Sequence, residues 1–201
     1  MNKIVSVVAL VALTAVFSFS QEETLKFGVR LGFNLNMAAV PNADLGMGYG
    51  GGVQASIPIV KSPSITFNPE VDFFYRSIYS VDAPLFKADW TEFAVSVPLV
   101  FHYAPVEGQP LYVGLGPQFD IPFNSEIDTD WDDFSEKLGA EDGKEKVKNR
   151  AIPDIGLVVE AGYRITGNIS VDARFVWGFT NLAKEVKYSY DQVGVGISYF
   201  F

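Results

Sequence analysis

Cysteine is absent from this sequence, which excludes a disulfide framework, a thiolate metal site and a cysteine nucleophile. Anchoring through a lipidated cysteine is excluded with them. Positive charge is scarce: 15 lysines and arginines stand against 24 aspartates and glutamates, for a formal charge of −9. That balance argues against a nucleic-acid partner, because phosphate is neutralised by clustered Lys and Arg. Histidine occurs once, as His102. Beyond residue 20 there is also no segment apolar enough to cross a membrane as a helix. If the mature chain spans a membrane, it must do so as a closed barrel.

What is abundant points the same way. The 201 residues suffice for one domain or one small barrel, and 18 glycines with 14% aromatics suit a β protein better than a helical bundle. The first residues read as a secretory signal. Lys3 gives a basic start, Ile4 to Phe17 is almost unbroken apolar sequence, and Ser18-Phe19-Ser20 offers small residues to a signal peptidase. Cleavage after Ser20 is expected, leaving residues 21–201 as the mature domain. An uncleaved anchor helix typically needs about 20 apolar residues, more than this run supplies.

The mature chain alternates. Leu25, Phe27, Val29, Leu31, Phe33 and Leu35 are separated by Lys26, Gly28, Arg30, Gly32 and Asn34, and a period of two sends these sets to opposite faces of a sheet. The same pattern predicts strands over 49–59, 65–79, 88–103, 111–121, 153–165, 169–180 and 188–201, which makes eight. In their central spans one parity is apolar and uncharged, carrying residues such as Val53, Phe73, Leu99, Leu115, Val159, Phe175 and Val195. The other carries Lys26, Arg30, Glu70, Asp72, Arg76, Glu92, Asp120, Asp154, Glu160, Arg164, Asp172 and Arg174.

Alternation alone fits either a soluble barrel with a greasy cavity or a membrane barrel turned inside out. Three features favour the membrane barrel. Glycines crowd the polar parity, as the interior of a narrow barrel requires. Connections alternate in length, long at 37–48, 80–87 and 122–152 and short at 60–64 and 166–168, the outer-membrane arrangement with short turns and both termini in the periplasm. Aromatics gather towards the loops (Tyr49, Tyr75, Tyr79, Trp90, Trp177, Phe179, Tyr190) and towards the turns (Tyr103, Tyr163, Tyr199, Phe201), as a double girdle would.

Several stretches resemble the PorT-like family of bacterial outer-membrane β-barrels. They are Phe67-Asn68-Pro69-Glu70-Val71, Val95-Ser96-Val97-Pro98-Leu99, Tyr112-Val113-Gly114-Leu115-Gly116-Pro117, Gly156 to Tyr163 and Val171 to Asn181. The ending Gly194-Val195-Gly196-Ile197-Ser198-Tyr199-Phe200-Phe201 looks like the signal read by the outer-membrane assembly machinery, with Gly194, Gly196, Tyr199 and Phe201 as its marks. The resemblance implies fold and location and carries no catalytic residue across.

The fold expected is therefore all-β, an eight-stranded antiparallel up-and-down transmembrane barrel in outer-membrane lipid. Its lumen should hold a charge network of Arg30, Glu70, Asp72, Arg76, Glu92, Glu160, Arg164, Asp172 and Arg174, with Glu70 and Arg174 central, because buried charges must be paired and hydrogen-bonded. His102 has inward parity near a periplasmic turn, with no serine clearly poised beside it, so a lumen or rim role is expected in place of a catalytic one. Asp128-Thr129-Asp130-Trp131-Asp132-Asp133 departs from the calcium-loop pattern, since Asp133 stands where a glycine is wanted and Gly139 where the closing glutamate belongs. Trp131, Phe134 and Leu138 share a helical face, with Thr129 or Asp130 as N-cap and Gly139 as stop, which predicts a short helix in the acidic loop 122–152. No cofactor or metal is expected. A structural or interaction barrel presenting its loops to a protein partner is the first reading, a narrow passive pore the second, and a lipid-modifying enzyme a distant third.

Overall fold

The computed structural model describes residues 25–38, 44–59, 64–83, 86–106, 109–131, 143–146, 153–181 and 189–201. The signal segment and its cleavage point lie outside these residues, as do Asp132, Asp133, Phe134, Leu138 and Gly139.

Nine strands form: β1 (Lys26–Ala38), β2 (Asp44–Pro58), β3 (Ile65–Ala83), β4 (Phe86–Tyr103), β5 (Leu111–Trp131), β6 (Gly143–Lys146), β7 (Asp154–Arg164), β8 (Ile169–Gly178) and β9 (Tyr190–Phe200). Eight of them close a ring, because β4 pairs with β5 while the rest run β4-β3-β2-β1-β9-β8-β7-β5. Every pairing is antiparallel. Closure joins the two ends of the chain: Val29 lies opposite Tyr199, and Phe201 donates its amide to the Phe27 carbonyl at 2.8 Å. No strand of the ring is left with an open edge, the condition for backbone polar groups to sit in hydrocarbon.

The pleat settles which face is out. Arg30 is 4% exposed and its neighbour Leu31 66%. Val53, Phe73, Leu115, Trp177 and Val195 are exposed with Leu31, while Glu70, Asp72, Glu92, Glu160 and Arg174 are buried. This is the fold of a transmembrane barrel: apolar outside, polar inside. Both described ends of the chain and the connections 59–64, 104–110 and 165–168 share one end, called here the turn end; the other is the loop end.

The loop end departs from expectation. Strands β3 and β4 run on to Ala83 and Phe86, leaving 84–85 between them where a loop over 80–87 is expected. Strand β5 likewise continues through the expected loop to Trp131, and β6 pairs back onto its Glu126–Thr129 stretch. Thr129 and Asp130 are strand residues opposite Ala88 and Lys87, so neither caps a helix, and Trp131 is in the strand as well. The reason is pairing: Phe123 is exposed on the outer face, a register shift after Pro122 turns Ile127 inward onto Trp90, and the ladder with β4 outweighs the turn preference of the intervening acids. At roughly 3.3 Å per residue, the 19 residues of β3 span far more than the 9–11 that cross a bilayer. Strands β3, β4, β5 and β6 therefore form a sheet that projects past the barrel wall, an apron.

Candidate functional site

The lumen is filled by side chains that glycine makes room for. A methyl group on Gly196 would strike the Arg30 guanidinium, one on Gly162 the Tyr112 ring and one on Gly114 the Glu160 side chain. Small residues on one strand thus accommodate large polar ones on the next, as an eight-stranded interior demands.

Three arginines organise the interior. Arg30 on β1 reaches past β9 to Asp172 on β8, donating from Nε at 3.3 Å and from Nη2 at 2.7 Å. Arg174 on β8 crosses the lumen to β3, where its two terminal nitrogens each donate to a separate oxygen of Glu70 at 3.0 Å. The same guanidinium also holds Glu160 on the adjacent β7, at 3.0 Å from Nε and 2.7 Å from Nη2. Towards the loop end, Arg76 on β3 donates to Glu92 on β4 at 2.8 Å and to Asp120 on β5 at 2.7 Å. Such fork-to-carboxylate pairs are short, directional and charge-assisted.

The remaining lone pairs are served by neutral groups. Asp120 also accepts from Ser96 Oγ at 2.7 Å and Gln118 Nε2 at 2.9 Å. Glu92 accepts from Ser125 Oγ at 3.2 Å, and Ser125 in turn accepts from the Trp90 indole at 2.7 Å. Asp154 accepts from the Thr180 hydroxyl. His102 Nε2 stands 2.5 Å from Glu160 Oε1, with its ring stacked on Tyr112 at 4.6 Å. Seven buried carboxylates share three buried arginines, so the internal neutralisation expected from the sequence is incomplete. Asp72 shows it: buried near Glu70, Arg30 and Arg174, neither of its oxygens has a hydrogen-bond partner among the described residues. Beside Asp72 a void of about 30 Å³ has room for a water molecule.

Of the residues expected in the network, Arg30, Glu70, Asp72, Arg76, Glu92, Glu160, Asp172 and Arg174 lie together in the lumen. Arg164 does not join them. It sits at the turn-end mouth, exposed, with its guanidinium carbon 5.7 Å from the centre of the Tyr112 ring. Asp120, Asp154 and His102 were marked only by inward parity, and they are network members. Trp90 is not in an outer girdle: it is fully buried against Ile78, capping the lumen below the loop end. The outer aromatics Tyr49 and Tyr75 pack at 5.6 Å, and Trp177 and Phe179 at 5.8 Å. Tyr199 and Phe201 meet edge-on at the turn end, 5.8 Å apart.

The space left in the barrel is uneven. A vestibule of about 670 Å³ opens at the turn end and stops at Glu70, Glu160 and Asp172. Beyond the Arg174 bridge lie voids of about 30 and 10 Å³. Among the described residues no three carboxylate or histidine side chains converge as a metal site. Chemically the arrangement is a network of charges pinned to one another across the strands, with Arg174 as the crossbeam.

Residues 19–184 match the family model described as Outer membrane protein beta-barrel domain. No curated protein matches the chain. Among solved structures, Neisserial surface protein A is 16% identical with a TM-score of 0.53, over 89% of this chain and 100% of that one. The attachment invasion locus protein Ail of Yersinia pestis is 12% identical with a TM-score of 0.49, over 89% and 100%. OprG of Pseudomonas aeruginosa is 15% identical with a TM-score of 0.45, over 90% and 97%. At such identities the likeness to Neisserial surface protein A is one of fold.

Proposed function

The chain belongs to the outer membrane protein beta-barrel domain family, and from that premise we propose that it is a closed barrel with a structural or interaction role, presenting its apron outside the cell. In this reading residues 1–20 are a cleaved export signal and the turn end faces the periplasm. The apolar belt contacts outer-membrane lipid, and the closing strand, with Gly194, Gly196, Tyr199 and Phe201, is what the assembly machinery engages. The finer kinship to PorT-like barrels belongs to the same proposal.

One observation carries it. Arg174 ties β8 to β3 across the lumen through both oxygens of Glu70. A passage for solute would have to break that bridge and leave buried charges unpaired, at a cost of several kcal/mol. His102 is pinned between Glu160 and Tyr112, which supports a network role over a catalytic one. The turn-end vestibule favours the pore as second reading, because the lumen is already open as far as Glu70, Glu160 and Asp172.

Liposome swelling decides between the two. With the purified protein shown to be folded by heat-modifiable gel migration, swelling in small sugars should match that of protein-free liposomes. Swelling that scales with the amount of folded protein establishes the pore instead.

A further inference from the structure

The charge network leaves cations free at the vestibule. Its floor carboxylates are committed inward: Glu70 and Glu160 to Arg174, and Asp172 to Arg30. The two cations at its rim are not committed to any carboxylate among the described residues. Lys26 makes only a long 3.4 Å bond to the Gly167 carbonyl, and Arg164 rests on Tyr112. That carbonyl lies in the turn that follows Arg164, and both cations line the same vestibule. Deeper on the wall, Gln54 is buried, and its amide nitrogen has no hydrogen-bond partner among the described residues. A buried amide donor left unpaired costs free energy unless something entering the cavity accepts from it.

We propose that this vestibule is a binding site for a small solute bearing an oxyanion, carboxylate or phosphate. Arg164 and Lys26 hold the oxyanion, and Gln54 donates to a second oxygen further in. A guanidinium fork matches either oxyanion through paired hydrogen bonds, while the ammonium adds a point charge. Pro58, Ile169 and Phe200 supply the apolar wall against which the body of the solute lies. The volume of about 670 Å³ is within the range of small-molecule pockets. The site does not depend on a closed lumen. In the proposed orientation it draws on periplasmic solutes.

The test uses the full chain, folded in lipid nanodiscs, with inorganic phosphate and glutarate as probes. Each is titrated while the backbone amide resonances of Gly167, Asn168 and Ser170 are followed. At least one probe should move them saturably, and the tighter of the two identifies phosphate or carboxylate as the preferred group. Arg164→Gln and Lys26→Gln should each weaken that binding about tenfold, the effect of losing one charge-assisted hydrogen bond. Lys87→Gln on the apron should leave it unchanged. Arg164 and Lys26 are exposed, so their variants keep the fold, and heat-modifiable migration checks this. No saturable shift with either probe overturns the proposal, as does binding that either rim substitution leaves unchanged.

Discussion

Arg174 is the residue on which the interior depends most. Replacing it with alanine strands Glu70 and Glu160, both at most 3% exposed, and removing one partner of a buried ion pair costs about 3–5 kcal/mol. We expect Arg174→Ala to lower the urea midpoint of the folded barrel correspondingly, measured by loss of heat-modifiable migration. A midpoint within error of the parent would show that the bridge carries no load. Gly196 tests the same arrangement from the other side. Gly196→Val drives side-chain atoms into the Arg30 guanidinium and towards Asp172, so it should destabilise by about 1–3 kcal/mol, whereas Gly143→Val, at a site with open space around it, should not. Parity made most of these residues legible in the sequence, because a period of two assigns a face. It assigns no height and no partner: Arg174 and Glu70 are 104 residues apart and meet across the lumen. Height is also what removed Arg164, whose parity is inward but whose position is the open mouth. Trp90 had inward parity too, and its grouping with the girdle aromatics concealed that signal.

Strands were readable as elements, their loop-end limits less so. Acidic residues at 126, 128 and 130 read as a solvated loop, yet beyond the register shift at Phe123 long-range pairing with β4 turns the segment into strand, with Ile127 packed inward on Trp90. The backbone amides of Asn124 to Asp130 should therefore exchange slowly with deuterium, in step with those of Phe93 to Lys87 opposite. Exchange at the rate of an unstructured peptide would contradict the apron. Strand β6 hangs on this sheet partly through Lys144, whose ammonium lies 2.8 Å from Asp128. Hydrogen bonding and attraction by Asp128 raise the Lys144 pKa above its ordinary 10.5. A raised folded-state value means that the pair supports the fold below the ordinary pKa and loses that support as alkalinity passes the folded one. Exposure and salt screen the pair, so Lys144→Gln should leave the thermal midpoint unchanged at neutral pH, as a melting curve will show.

For the whole molecule, the sequence carries one contrast: a parity free of charge beside a parity full of it. The structure turns that contrast into a shape, with an apolar exterior, a lumen holding a network of charged side chains, a vestibule at the turn end and an apron at the loop end. Which face is out followed from glycine and side-chain size, because Phe, Trp and Leu on every strand would overfill eight strands. How the charges lock was not readable, since it depends on the stagger of eight strands at once. A plugged lumen is the central claim, and unitary conductance of the refolded protein in planar bilayers tests it most directly, with Glu70→Gln beside the parent. The parent should be silent, and Glu70→Gln, which weakens the crossbeam, should open occasional unstable steps. Stable unitary steps from the folded parent would contradict the account and make the lumen a pore.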